Sequence, residues 1–196
     1  ARHRGPHRRP GVGVAVGGVG AAAHRDARVD QRRAAVEMRT VLGIDVGQDL
    51  ARLREDALAH GREANGADYD PYTVIQLTHS GRYSRPVDKP APIIAHHDAV
   101  LDKVMGIPED HPLVSDDYLD RLQDRYVAAA RLAARCGFQG VDIKSCHRYL
   151  LSELLAAHTR PGKYGGSFEN RTRMLLSVVR RVREEVPEVD ITLRMN

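Results

Sequence analysis

Apolar residues recur at the spacing of an α-helix in three segments of the chain. The clearest begins at Ser115 or Asp116, either of which can cap its first turn, and it ends at Gly137. A second is capped by Ser167 and is stopped by Pro187. The stripe of a third helix, which follows Gly47, consists of Leu50, Leu53, Ala57 and Leu58.

Three short runs, each of which follows one of these helices, alternate apolar and polar residues, as strands do. They are Val74–Thr78, Gly140–Lys144 and Ile191–Met195. Strands that alternate with helices of this length predict βαβ units with right-handed crossovers. The pattern therefore predicts an α/β fold in which the three strands lie parallel and adjacent.

The polar positions of these strands predict a site. In a parallel sheet both faces are usually covered, so polar side chains that point inward need hydrogen-bond partners from the protein or from a ligand. A polar ligand at the carboxyl ends of the strands is the simplest answer. The side chains expected on this face are Gln76, Thr78, Asp142, Lys144, Thr192 and Arg194.

An irregular stretch rich in proline and histidine separates the first strand from the clearest helix. It covers residues 82–112, and a loop of that length in a compact domain is usually functional or mobile. The histidines in and near it match no known ligand spacing, so no metal site is predicted. They are His79, His96, His97, His111 and His147.

Composition limits the class of protein. A chain of 196 residues with 42% hydrophobic and 29% charged residues is large enough for one domain with a real core. It holds no apolar run long enough for a bilayer and no secretory signal pattern at its start. Cys136 and Cys146 form no CxxC pair. We therefore expect a soluble cytoplasmic protein that makes no membrane contact.

The first segment differs from the rest. Residues 1–47 are low in complexity and rich in arginine, and without them the chain, whose net charge is +4, would be close to neutral. A nucleic-acid-binding arm is one interpretation, but no aromatic residue precedes Tyr69 to stack on bases, so nucleic acid is the less favoured partner. A glycine-rich pattern from Gly11 has Val16 where a dinucleotide-binding loop needs its third glycine. We predict a poorly ordered segment at 1–47 and a folded domain at 48–196.

Three separated motifs resemble one known family. "QLTHSGRYSRP" at Gln76–Pro86, "YGGSFENRTR" at Tyr164–Arg173 and the final "TLRMN" are similar to segments of the flavin-dependent old yellow enzyme family, in the same order and spacing. The resemblance covers roughly residues 49–196. It implies a (β/α)8 barrel with FMN as cofactor and NAD(P)H as electron donor, which passes hydride to an organic small-molecule substrate.

The resemblance also implies roles for five residues. Gln76 would hydrogen-bond the flavin pyrimidine, and Arg194 would face the negative charge of reduced flavin at N1 and O2. Lys144 and His147 would hold the substrate carbonyl oxygen, and Tyr149 would give a proton to the substrate carbon. Lys144 is a departure, because the family usually has histidine there; it could instead pair with Asp142.

Length is the other departure, because a complete barrel typically takes about 250 residues. The chain matches only strands three to five of such a barrel, so we expect a partial TIM barrel, a fragment or truncated remnant of the enzyme. Open sheet edges would favour association, including a homo-oligomer. The alternative function is a non-catalytic α/β binding module with a basic N-terminal arm.

Overall fold

Five helices, three strands and one short 3-10 turn make up the part of the chain that the structure describes. The computed structural model describes residues 46–86 and 89–196. The helices are α1 Val46–Asn65, α2 Ala99–Met105, α3 Asp116–Arg135, α4 Leu150–Ala156 and α5 Phe168–Glu185. The strands are β1 Val74–Leu77, β2 Gly140–Ser145 and β3 Asp190–Met195, and the 3-10 turn is Gly81–Tyr83.

The three strands form one parallel sheet in the order β1-β2-β3. Gln76 lies opposite Asp142, and Asp142 lies opposite Thr192, so the polar positions of the three strands are in register. This confirms the predicted parallel, adjacent arrangement. The observed limits differ by one residue at three ends, since β1 stops at Leu77, before Thr78, β2 extends to Ser145 and β3 begins at Asp190.

The core lies between the sheet and the long helices. Val141 and Ile143 on the central strand are fully buried, as are Leu119 on α3 and Val178 on α5. The apolar alternation of β2 therefore faces the helices, as the sequence predicted. The opposite face of the sheet carries the polar side chains.

Side-chain caps begin the two strongest helices. The hydroxyl of Ser115 accepts a hydrogen bond of 3.1 Å from the backbone N–H of Tyr118, and Ser167 accepts one of 3.3 Å from that of Asn170. Each bond satisfies a backbone donor that has no partner inside the helix. Both caps confirm the helix starts predicted from the sequence.

The segment predicted as irregular contains a helix. Asp98 caps α2 by accepting bonds from the backbone N–H groups of Val100 and Leu101. The sequence pattern did not indicate this helix, because its Val100 and Val104 are exposed whereas its charged Asp102 is buried. A second short helix, α4, was not predicted separately, because its sequence LLSELLA is apolar on nearly every side.

The prediction for the first segment falls almost wholly outside the described residues. Only Val46 and Gly47 of residues 1–47 are described, and they begin α1. Among the described residues, no helix is long and apolar enough to cross a membrane.

Candidate functional site

A buried carboxylate lies at the centre of the polar face. Asp142 is 6% exposed and accepts hydrogen bonds from the amide nitrogen of Gln76 (2.7 Å) and the hydroxyl of Thr192 (3.2 Å). The Nε atom of Arg194 lies 3.5 Å from the same carboxylate. The register of the three strands explains the cluster, since Gln76, Asp142 and Thr192 occupy paired positions and Arg194 lies two residues beyond Thr192 on the same strand. Asp142 thus fixes the orientation of Gln76 and holds the Arg194 guanidinium on this face.

Arg194 keeps most of its side chain open to solvent. The exposed fraction is 62%, compared with 8% for its Asp142 partner. An ion pair this exposed contributes little stability, so the cation is available to a ligand. The sequence analysis predicted a binding role for Gln76 and Arg194, and the structure brings these two side chains to one carboxylate.

Lys144 contacts an aromatic ring rather than a carboxylate. Its Nζ atom lies 4.0 Å from the centroid of the Tyr149 ring, a cation–π geometry. Among the described residues no ion pair joins Lys144 to Asp142, so the alternative pairing predicted from the sequence is not formed. Asp142 is already engaged by Gln76 and Arg194, which explains why. Two of the three candidate catalytic residues therefore lie in direct contact.

The turn after β2 has an unusual backbone. His147 and Arg148 are consecutive residues with positive φ, 59° and 58°, in the left-handed region that side chains other than glycine rarely occupy. Such residues cost on the order of 1–3 kcal/mol each and tend to cluster at functional sites. The backbone N–H of His147 donates to the Asn196 side chain (3.0 Å), which ties the turn to the end of β3. The turn leaves His147 exposed and brings Tyr149 to the N-cap position, immediately before α4.

The turn after β1 is fixed by a buried histidine. The backbone N–H of Gly81 donates to Nδ1 of His79 (3.0 Å), so the ring proton lies on Nε2, from which it is donated to the Tyr118 hydroxyl (2.8 Å). Burial lowers the pKa of His79 to about 4, which keeps the ring neutral. The His79 carbonyl accepts a bond from the backbone N–H of Leu150 (3.2 Å), so the two turns are joined.

An ion-pair network beneath the site anchors the loop that contains α2. Arg82 is wholly buried, and its guanidinium pairs with Asp102 and Glu153. The backbone N–H of Ala95 donates to the other Glu153 oxygen at 3.0 Å. Burial alone would raise the pKa of Asp102, but hydrogen bonds from Arg82 and His97 outweigh burial and lower it. The network holds Arg82, Ala95 and Asp102 against Glu153 of α4.

Several contributors were not recognised from the sequence. Asp142 was expected to lie on the polar face but not at its centre, and His79 was considered only as a possible metal ligand. Arg82 was part of a motif without a stated role. Asp142 could have been found from the register, because it is the one acid among the expected inward positions. The roles of His79 and Arg82 depend on contacts between residues far apart in the sequence.

The chain matches the model of a protein family. The family model of the NADH:flavin oxidoreductase / NADH oxidase family matches residues 66–196, which is more than half of the chain. The matched range contains all three strands and every candidate site residue.

Curated relatives share about a third of their residues with the chain over the aligned region. NADH-dependent flavin oxidoreductase iccE of Talaromyces variabilis is 33% identical, over 59% of this chain and 31% of its own length. NADPH dehydrogenase of Clostridium acetobutylicum is 33% identical, over 65% and 37%. 12-Oxophytodienoate reductase 1 of Oryza sativa subsp. japonica is 32% identical, over 62% and 34%. The chain thus spans about a third of the length of these relatives.

Solved structures support the fold. The chain matches a 2-naphthoyl-CoA reductase complex with a TM-score of 0.58 and 22% identity, over 76% of this chain and 23% of that one. It matches histamine dehydrogenase from Rhizobium sp. 4-9 with a TM-score of 0.54 and 24% identity, over 67% and 20%. These neighbours are TIM-barrel flavoenzymes, and the three parallel strands with their helices form part of such a barrel. The chain belongs to the NADH:flavin oxidoreductase / NADH oxidase family.

Proposed function

We propose that the chain takes part in FMN-dependent hydride transfer from NADH or NADPH to an organic small-molecule substrate. One observation carries the proposal. Gln76 and Arg194 converge on Asp142 on the polar face of the sheet, and Lys144 contacts Tyr149 at the carboxyl end of the central strand. Family membership and the names of the relatives support a flavin as the group bound there.

The polar face fits a flavin. The Thr78 hydroxyl, two residues beyond Gln76, is buried and makes no hydrogen bond with any described residue. Arg194 adds an exposed cation on the same face. A buried hydroxyl without a partner among the described residues, together with the Gln76 amide and a cation on the same face, suits a planar polar ring that becomes negatively charged on reduction.

Each residue has a role in this proposal. FMN, when bound, supplies the redox chemistry. Gln76, oriented by Asp142, hydrogen-bonds the pyrimidine end of the flavin, and Arg194 stabilises negative charge at its N1 and O2 positions. Lys144 and His147 hold the substrate carbonyl oxygen and stabilise the negative charge that develops there. Tyr149 donates its hydroxyl proton to the substrate carbon.

Separate measurement of the two half-reactions tests these roles. In the flavin-loaded protein, Tyr149→Phe should leave flavin reduction by NADH or NADPH unchanged and slow reoxidation by the substrate by about 10²–10⁴-fold. Stopped-flow absorbance of the flavin reports both rates. The matched control is Tyr69→Phe, which removes a hydroxyl from an exposed loop and should change neither rate. Loss of flavin binding in Tyr149→Phe, or reoxidation at full rate, would contradict the assignment.

A further inference from the structure

A second tyrosine packs against the proposed proton donor. The ring centroids of Tyr83 and Tyr149 are 5.7 Å apart, and the ring planes are inclined by 48°. This distance is within the range of favourable aromatic pairs. Lys144 lies over the same Tyr149 ring. The Tyr149 ring therefore contacts both an aromatic neighbour from the β1 turn and a cation from β2.

The turn that carries Tyr83 is rigidly joined to the start of α4. An added Cβ at Gly81 would lie 2.7 Å from the backbone nitrogen of Leu150, so the two backbones are in close contact. The hydrogen bond from Leu150 to the His79 carbonyl closes the same junction. Arg82, immediately before Tyr83, is anchored by its buried ion pairs. The backbones of Tyr83 and Tyr149 thus have little freedom to move apart.

Tyr83 acts through its ring. Its side chain is half-buried, and its hydroxyl makes no hydrogen bond with any described residue. Tyr149, by contrast, follows two residues with strained backbone and has a side chain that is only half-buried. Tyr83 therefore supplies an aromatic contact to a ring that is otherwise partly open to solvent.

We propose that Tyr83 is a positioning residue for Tyr149, holding the Tyr149 ring in the orientation in which Lys144 lies over it. The inference rests on the proposed function, in which Tyr149 is the proton donor. A proton donor must stay within hydrogen-bond reach of the accepting atom, and a displacement of about 1 Å can cost about a hundredfold in rate. A ring that is held by Tyr83 and Lys144 meets that requirement before substrate arrives.

Lysine resonances test the proposal in the full chain without cofactor or substrate. The chain has four lysines, Lys89, Lys103, Lys144 and Lys163. With [ε-¹³C]lysine labelling, the Lys144 resonance should be shifted upfield by the ring current of Tyr149, and Lys144→Arg identifies it by its loss. Lys163, which lies 5.4 Å from the Tyr164 ring, is an internal control that should not move in any Tyr83 variant.

Three variants give the expected result. Tyr83→Leu removes the ring and should move the Lys144 resonance towards its position in Tyr149→Leu, while the other lysines stay unchanged. Tyr83→Phe keeps the ring and should preserve the wild-type shift. If Tyr83→Leu proves unfolded by circular dichroism, Tyr83→Met replaces it.

The proposal is overturned if the ring-removing Tyr83 variant leaves Lys144 unmoved although Tyr149→Leu moves it. It is also overturned if Lys144 shows no upfield shift in the wild-type chain. Neither result depends on flavin chemistry, so either would leave the half-reaction test of Tyr149 standing. Conversely, flavin reoxidation at full rate in Tyr149→Phe would count against the proposed function without bearing on the contact between Tyr83 and Tyr149.

Discussion

At the scale of single residues, the site depends on charges and protons that burial controls. Asp142 is buried and orders two neighbours, whereas Arg194 is left open to solvent beside it. His79 is held neutral by burial, and its fixed tautomer joins the β1 turn to α3. These side chains set the geometry of the site before any ligand binds.

The buried histidine predicts a pH dependence of stability. The pKa of His79 is about 4 in the folded chain and about 6.5 in an unfolded one. Between these values the unfolded chain binds a proton that the folded chain does not, so the free energy of unfolding falls as pH drops. From pH 7 to pH 5 the loss due to His79 should be about 2 kcal/mol.

Urea denaturation of His79→Phe at both pH values measures this contribution. The variant is less stable at pH 7, because the Gly81 N–H loses its acceptor. Its free energy of unfolding should nevertheless fall by about 2 kcal/mol less between pH 7 and pH 5 than that of the wild type. His158→Gln, at an exposed position, should keep the wild-type pH dependence. An undiminished loss in His79→Phe would show that His79 does not titrate as the burial indicates.

At the scale of helices and strands, local sequence signals identified most of the elements. Ser115 and Ser167 marked helix starts through their capping chemistry, and alternation marked the three strands. Helix α2 was not predicted because its Val100 and Val104 face solvent, while its charged Asp102 faces Arg82. Helices of this kind depend on tertiary contacts, which the local pattern does not contain.

The cap of α3 gives a prediction at this scale. Ser115→Ala removes the acceptor of the Tyr118 N–H and should lower the free energy of unfolding by about 1 kcal/mol. Ser115→Gly should lower the free energy of unfolding by only about a few tenths of a kcal/mol, because glycine allows water to reach the same donor. Chemical denaturation compares the two variants with the wild-type chain. Equal stability of Ser115→Ala and the wild type would show that the cap contributes nothing.

At the scale of the whole molecule, the sequence predicted the architecture but not the junction between the two turns. The strand order follows from alternation and connection rules, and the polar face from the period of two residues in a strand. The contacts of Tyr83 with Tyr149 and of Arg82 with Glu153 join residues far apart in the chain. The local sequence pattern does not show which residues distant in the chain will contact each other, so these contacts could be seen only in the structure.

The edges of the sheet predict association. Within the described residues, β1 and β3 each pair on one side only, and Leu193 and Met195 are 44% and 56% exposed. An apolar strand edge of this kind pairs readily with another chain. Sedimentation equilibrium of the full chain should show association that grows with concentration.

A charge on the edge strand should weaken that association. Leu193→Lys places it on β3, whereas the control Leu176→Lys places it on α5 at a similarly exposed apolar residue. Only the first should shift the chain towards monomer. A wild-type chain that stays monomeric, or an equal effect of both variants, would argue against the edge as the contact.

A flavin titration tests most directly whether the polar face of the sheet binds FMN through Gln76 and Arg194, as we propose. Quenching of FMN fluorescence by the full chain should saturate at one flavin per chain. Arg194→Met should weaken binding by about tenfold, because a cation beside the flavin is lost. Arg183→Met, at an exposed arginine of α5, should bind as the wild type does. Absence of saturable binding by the wild-type chain, or equal affinity in Arg194→Met, would contradict the account.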